Sequence, residues 1–355
     1  MSSRDLPEIP HPIAYVRGPA GETVCAGSTT KSARSPGHEV DSPKTVVTVG
    51  NFDGVHLGHA AIIERLRQMA SCLAAESAVL TFDPHPATLV RPGTAPAPLS
   101  TAARRAELLL NLGIDRVCVQ PMVPAVINLS ATTFFDHVLR QRLGAVGLVE
   151  GTDFRFGRGR EGDVRVLASL CDSRGLAFEV VAPLLTRDAV VSSSRVRSLI
   201  SVGDVAGAMA MLTAPYRLTG VVVEGAKRGR TLGFPTANLA EISTLLPAPG
   251  VYAAVATLSD MDQATGTATS HPAAVHIGAN VSFGEAALSV EAHLIGFTGD
   301  LYGQSLHVDF LQRLRETHRF ESREVLVSQL EADVHRASDV VTSWSRAGHP
   351  THFSL

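Results

Sequence analysis

Two periodicities divide the chain. From residue 45 to about 185, short apolar runs alternate with segments whose apolar positions recur every three or four residues. The runs at 46–49, 78–82, 116–120, 146–150 and 177–181 predict buried strands. Between them, 58–74, 101–112, 131–143 and 163–174 carry helical spacing; Ser100 or Thr101 opens one helix and Gly113 closes it, and Gly175 closes another. Such alternation predicts an α/β fold with a doubly wound parallel sheet, whose ligands bind beyond the carboxyl ends of the strands. Two short helices are expected at 194–201 and 204–212. Beyond Pro215 the period falls to two, with strands at 218–223, 251–258, 273–277, 288–294 and 306–310 and no helices between them, the pattern of an antiparallel β-barrel or sandwich. A helix over 322–345 follows, with Val325, Leu326, Leu330, Val334 and Val341 on one stripe. The domains are therefore expected at 45–212 and 213–345. Residues 1–44, rich in Ser, Pro, Gly and Thr, read as a loose extension, dispensable for folding, in which only 13–16 has strand character. The tract 259–272 reads as a solvated hairpin loop.

Composition adds exclusions. A chain of 355 residues has room for two cores, and 45 % hydrophobic with 18 % charged residues is ordinary for a soluble protein. A net charge of −3 offers no basic face for nucleic acid. Cys25, Cys72, Cys118 and Cys171 have neither zinc nor disulfide-framework spacing. No leader and no long apolar run is visible, so a reduced, cytoplasmic protein without membrane contact is expected; a homo-oligomer remains open.

Candidate chemistry begins where the first strand ends. Gly50-Asn51-Phe52-Asp53-Gly54-Val55-His56-Leu57-Gly58-His59 turns the chain into a helix with two imidazoles three residues apart on one face. A helix N-terminus attracts phosphate through its free N–H groups and dipole, so the pair suits nucleotidyl transfer, where the enzyme stabilises developing phosphate charge. Ser192, Ser193 and Ser194 precede Arg195 and Arg197 at another helix start; hydroxyls there cap the helix or, with the Arg197 guanidinium, grip phosphate. Gly157-Arg-Gly-Arg-Glu-Gly162 fits a dinucleotide fingerprint with Glu179 at about the required offset, but Glu179 lies inside its strand, which argues against that reading. In the second domain, the glycine-rich stretch from Gly225 through Lys227 to Gly233 lacks a P-loop ending and by itself reads equally as a hairpin turn. Thr236 and Asn238, on either side of Ala237, project the same way in an extended segment and offer the oxygen ligands that Mg²⁺ prefers. Glu291 interrupts an apolar strand and is either surface-exposed or held for use as a base.

Six ordered blocks give these features a common frame: the stretch 50–59, Thr-Phe-Asp-Pro-His-Pro at 81–86, Gly-Thr-Asp-Phe-Arg-Phe-Gly at 151–157, Ser-Ser-Ser-Arg-Val-Arg at 192–197, Gly-Phe-Pro-Thr-Ala-Asn at 233–238 and Ser-Val-Glu-Ala-His-Leu at 289–294. From about 45 to 340 the chain resembles the prokaryotic bifunctional riboflavin kinase/FAD synthetases. The resemblance implies that riboflavin is phosphorylated to FMN with MgATP and that FMN is then adenylylated by ATP to FAD, with pyrophosphate released. It implies catalytic roles for His56, His59 and Glu291, the last accepting a proton from the terminal ribityl hydroxyl. It assigns Gly50, Asn51, Asp153, Ser193, Ser194, Arg197, Gly225, Lys227 and Gly233 to nucleotide, Phe82, Pro84, His85 and Arg315 to flavin, and Thr236 and Asn238 to Mg²⁺. The chain departs from the family where Val281 replaces a proline and Gly296 an aspartate. The alternatives are an adenylyltransferase with a weak or altered flavokinase, or a non-catalytic flavin-binding regulator.

Overall fold

In the computed structural model the first apolar run, β3 (Thr45–Val49), is buried at every position, as a strand covered on both faces must be. The structure describes residues 8–18, 22–26, 43–186, 189–225, 228–261, 268–279 and 288–348, and the chain divides into two compact units, Met1–Ser192 and Ser193–Leu355.

The first unit is built on a seven-stranded sheet. With β1 (Ile13–Arg17), β2 (Thr23–Ala26), β4 (Glu76–Asp83), β5 (Arg116–Pro121), β6 (Ala145–Gly151) and β7 (Ala177–Val181), its order is β2-β1-β5-β4-β3-β6-β7. Strands β5, β4, β3, β6 and β7 are parallel. The chain leaves β3 toward β4 on one side and later returns to β6 on the other, so strand order reverses at β3. The crevice outside the carboxyl end of β3 and β6 is the ligand site expected of such a sheet. Helices α1 (Leu57–Cys72), α2 (Ala102–Asn111) and α3 (Val164–Arg174) begin at side-chain caps from His56, Thr101 and Asp163. The predicted helix at 131–143 is one turn, Ala131–Thr133, continued as a π-helix over Phe134–Arg142.

The N-terminal segment differs from the expected loose extension. Strand β1 pairs antiparallel with β5 and with β2, so 13–17 and 23–26 extend the sheet. Ile9 is buried in the sheet core, and the carbonyl of Pro10 accepts hydrogen bonds from Gln120 at 2.9 Å and Arg142 at 3.1 Å. Edge pairing satisfies backbone groups of β5 that an apolar-content argument does not register. Residues 27–42 lie outside the described residues. A chain starting at Asp41 should therefore unfold at lower temperature than the full chain, because burial of Ile9 alone contributes about 1.5–3 kcal/mol. Equal melting temperatures in scanning calorimetry would show that the segment contributes nothing to stability.

The second unit is a closed six-stranded antiparallel barrel. Its strands are β8 (Tyr216–Val223), β9 (Ala237–Ala240), β10 (Gly250–Met261), β11 (Ala268–Ala279), β12 (Leu288–Leu294) and β13 (Ser305–Arg315), in the order β8-β9-β12-β11-β10-β13. Closure of β13 onto β8 includes a two-pronged Arg217–Asp309 ion pair at 2.8 and 2.7 Å between directly opposed residues. Helices α4 (Ser193–Ser201) and α5 (Val205–Met209) belong to this unit, with Ala248 N donating to the Ile200 carbonyl at 3.2 Å. The units thus divide at Ser192/Ser193, earlier than the predicted change of pattern near 212. Strands β10 and β11 also run further into the predicted loop 259–272 than apolar alternation indicated, and 262–267 lie outside the described residues. Helix α6 (Arg323–Arg346), capped by Ser322, packs its buried Ala337 and Val341 on the barrel.

Candidate active sites

The turn after β3 is built around buried polar groups. Gly54, at φ +81°, and the left-handed Phe52 and Val55 reverse the chain sharply. Asp53, itself buried, receives the backbone N–H groups of Leu99 and Ser100 at 2.9–3.0 Å, so the turn is tied to the start of α2. Arg105, also buried, was not singled out from the sequence. Its Nη1 donates to the carbonyls of Asn51 (2.8 Å) and Phe82 (3.0 Å) and to Thr81 Oγ1 (2.9 Å), joining the Gly50–His59 turn to the 81–86 loop. Gly50 N donates to the Leu80 carbonyl at 3.0 Å, which aligns the same two segments. The only sequence signal for Arg105 was a charge on an otherwise apolar stripe of α2.

His56 and His59 cap α1 reciprocally. His59 N donates to His56 Nδ1 at 3.3 Å and His56 N to His59 Nδ1 at 3.2 Å, while the rings stack with centroids 3.6 Å apart. An Nδ1 that accepts leaves the neutral ring's proton on Nε2, so each imidazole retains an N–H for an outside acceptor. Burial lowers the His56 pKa to about 4, although the backbone and the carboxylates of Asp153 and Asp53 pull it upward. Burial lowers that of His59 too, helped by the charges of His56 and Arg105. The pair is therefore neutral at physiological pH and ready to donate to phosphate oxygens. Because the folded value lies below the unfolded one, the unfolded chain binds the extra proton between about pH 4 and 6.5, so stability must fall as pH drops through that window. The stability difference between wild type and His56→Asn should change by about 1.4 kcal/mol per pH unit there and level off above it. A flat difference from pH 4 to 7 in denaturant titrations would contradict this.

Asp153 stands exposed just past β6, across the switch point from the pair. Beneath it, Glu150 is fully buried and ties β6 to β3 by accepting from Val49 N at 2.7 Å; desolvation pushes its pKa well above the usual carboxylate range. In the 81–86 loop, Pro84 is exposed and His85 Nδ1 caps the following turn by accepting from Ala87 N at 3.0 Å. The Phe82 ring, expected against the flavin, packs in the sheet core and supports the loop from below. The glycine fingerprint at 157–162 is structural: Arg158 N donates to the Leu129 carbonyl at 2.7 Å and Glu179 pairs with Arg65 at 2.6 Å. Ser193, Ser194 and Arg197 open α4 in the second unit, with Ser194 exposed and the other two partly buried.

On the barrel, strand alternation sorts the candidates. Ala237, Leu239, Val290 and Ala292 point into the core, whereas Thr236, Asn238, Ser289, Glu291 and His293 share the outer face. Asn238 lies directly opposite Glu291 in the β9–β12 register. The Glu291 carboxylate accepts from Ser289 Oγ at 3.1 Å and from Thr236 Oγ1 at 3.4 Å. Thr236, Asn238 and Glu291 therefore present oxygen donors in one place, a set that suits Mg²⁺ better than a soft metal. No cluster of three or more His, Cys, Asp or Glu that would hold a metal occurs among the described residues. A side chain at Gly225 would collide with the Asn238 amide, and one at Gly229 with the Phe234 carbonyl, so close backbone approach explains both glycines. Gly233 adopts φ +89° after the short helix Arg228–Leu232, and Lys227 lies outside the described residues. Arg315, expected near flavin, instead grips buried Asp333 of α6 with Nε at 2.9 Å and Nη2 at 2.7 Å. A buried carboxylate takes the guanidinium because leaving either unpaired is costly. Gly296 adopts φ +76°, a conformation glycine accepts at low cost; Val281 lies outside the described residues.

Residues 38–195 match the family model for FAD synthetase and residues 212–341 the one for riboflavin kinase. A bifunctional riboflavin kinase/FMN adenylyltransferase from Pseudomonas fluorescens is 38 % identical over 290 residues, covering 81 % of this chain and 90 % of that protein. One from Escherichia coli (strain K12) is 32 % identical over 288 residues, with 81 % and 90 % covered. The crystal structure of a macrolide-efflux protein from Streptococcus pneumoniae has a TM-score of 0.72 at 29 % identity, covering 83 % of this chain and 94 % of that one. Among the described residues of this chain, no helix is long and apolar enough to cross a membrane.

Proposed function

The chain belongs to the family of bifunctional riboflavin kinase/FMN adenylyltransferases, and from that premise we propose that its barrel phosphorylates riboflavin to FMN and its α/β unit adenylylates FMN to FAD. The stacked, reciprocally capped His56–His59 pair at the switch point of the sheet carries this reading.

In adenylyl transfer, a phosphate oxygen of FMN attacks the α-phosphorus of ATP and pyrophosphate leaves. Negative charge builds on the α-phosphate and on the leaving group. The Nε2–H groups of His56 and His59, with the free N–H groups at the start of α1, stabilise that charge. Being neutral, each imidazole accepts its cap bond at Nδ1 and keeps Nε2–H for donation. Gly50 and Asn51 let the backbone approach the nucleotide and Asp153 borders it; the family resemblance also assigns phosphate contacts to Ser193, Ser194 and Arg197 at the start of α4. Pro84 and His85 border the flavin, with Phe82 supporting their loop.

In phosphoryl transfer, Glu291 accepts the proton of the terminal ribityl hydroxyl as its oxygen attacks the γ-phosphorus of ATP and ADP leaves. Thr236 and Asn238 would hold Mg²⁺, and the family resemblance assigns Gly225, Lys227 and Gly233 to the nucleotide. The ion, when bound, withdraws charge from the β- and γ-phosphates. Arg315 braces α6 against the barrel. The free thiols of Cys25, Cys72, Cys118 and Cys171 fit a reducing, cytoplasmic setting.

Purified protein incubated with riboflavin and MgATP should yield FMN and ADP, then FAD and pyrophosphate, resolved by chromatography. FAD from supplied FMN without any FMN from riboflavin would remove the kinase half of the reading.

A further inference from the structure

Just before its backbone joins the β9–β12 ladder at Ala237, the segment carrying Thr236 makes two side-chain bonds to β12 of unequal strength. Thr236 Oγ1 reaches Glu291 Oε2 only at 3.4 Å, the weak end of hydrogen bonding. One step along the same strand face, a ring nitrogen of His293, Nδ1, lies 2.8 Å from the Pro235 carbonyl. A carbonyl can only accept, so Nδ1 bears the proton and donates it. The edge-on Phe234 and His293 rings, with centroids 5.7 Å apart, add a second contact to the same segment. Phe234 N in turn donates to the Gly229 carbonyl at 2.8 Å, so the glycine-rich stretch is held through the residue that His293 packs against.

This inequality matters because a threonine hydroxyl that turns its one O–H to a phosphate oxygen must give up its bond to Glu291. Without a second tie ahead of the ladder, that exchange would loosen residues 234–236 from β12. The His293–Pro235 bond uses no atom that a ligand needs, so it can persist through the exchange. We propose that His293 is a positioning residue that fixes Pro235–Thr236 against β12, keeping the Thr236 hydroxyl in register with Glu291 while nucleotide binds. The inference rests on the flavokinase reading of this face.

The test uses the geometry of amide side chains. The Asn Nδ2 atom falls near imidazole Nδ1 and can donate to Pro235, whereas the Gln nitrogen falls near Nε2 and cannot. In the full chain, His293→Ala and His293→Gln should raise the KM for MgATP in riboflavin phosphorylation by roughly five- to tenfold, the worth of one hydrogen bond. His293→Asn should stay within about twofold of wild type, kcat should change little in all three, and FAD formation from supplied FMN should be unaffected. Amide hydrogen exchange of 229–236 in the ligand-free protein should quicken in the Ala and Gln variants but not in the Asn variant. An unchanged KM in His293→Ala, or Asn behaving like Gln in both measurements, overturns the proposal. A wild-type chain that makes no FMN yet shows the expected exchange pattern would instead sink the flavokinase reading and leave the anchor standing.

Discussion

With Glu291 replaced by glutamine, riboflavin phosphorylation is expected to fall by about 10²–10⁴-fold, the usual contribution of a positioned general base. The substitution preserves size and keeps an oxygen for either Ser289 or Thr236, which now donate to the two carboxylate oxygens at 3.1 and 3.4 Å. What it removes is the ability to take a proton. Glu291 sits on the outer face of the barrel, and its alternation with core-facing Val290 and Ala292 means that the change costs no packing. Nucleotide affinity should therefore stay near normal, and FAD formation from supplied FMN should not change, since the α/β unit makes no use of this carboxylate. Thr236→Val should behave differently, losing kinase activity together with MgATP affinity. A Glu291→Gln protein that phosphorylates riboflavin at the parental rate would make the residue an ordinary surface carboxylate.

His59→Asn is expected to lower FAD formation by about 10²–10³-fold, the cost of removing one transition-state donor from a preorganised site. Asparagine is the informative choice because His59 has two functions. Its Nδ1 accepts from His56 N and so completes the helix cap, which leaves the neutral ring's proton on Nε2. The Asn Oδ1 can replace the first function, so the cap, worth about 1 kcal/mol, is preserved. Nothing in asparagine reaches as far as Nε2. FMN formation should be intact, because the kinase residues belong to the other compact unit. Wild-type FAD synthesis in this variant would leave the pair as a capping device. Parallel loss of both activities in a folded protein would contradict the division of labour between the units.

Most of the order of strands and helices and the change from parallel sheet to barrel were legible in the sequence; β9 and the short helix Arg228–Leu232 between two expected barrel strands were not. What was legible depends on residues close together in the chain: a period of two or 3.6, or a cap three residues from its partner. The His56–His59 pair belongs to this class, which is why its geometry matched the expectation. The outward placement of Thr236, Asn238 and Glu291 follows from strand alternation for the same reason.

What the tertiary structure decided lies in pairings between distant residues. Arg105 meets Asn51 from 54 residues away, His293 meets Pro235 from 58, and Arg315 meets Asp333 across the barrel–helix contact. Phe82 turned inward, and Glu150 was buried at the base of the site with its carboxyl tied to Val49 N. Strand β1, whose strand character at 13–16 was legible while its place in the sheet was not, gained that place by supplying backbone partners to β5. Sequence by itself determined which faces are buried, because burial follows a short repeat along the chain. Only the fold determined which polar group meets which, because strand order and register bring those groups together and no local pattern encodes either one.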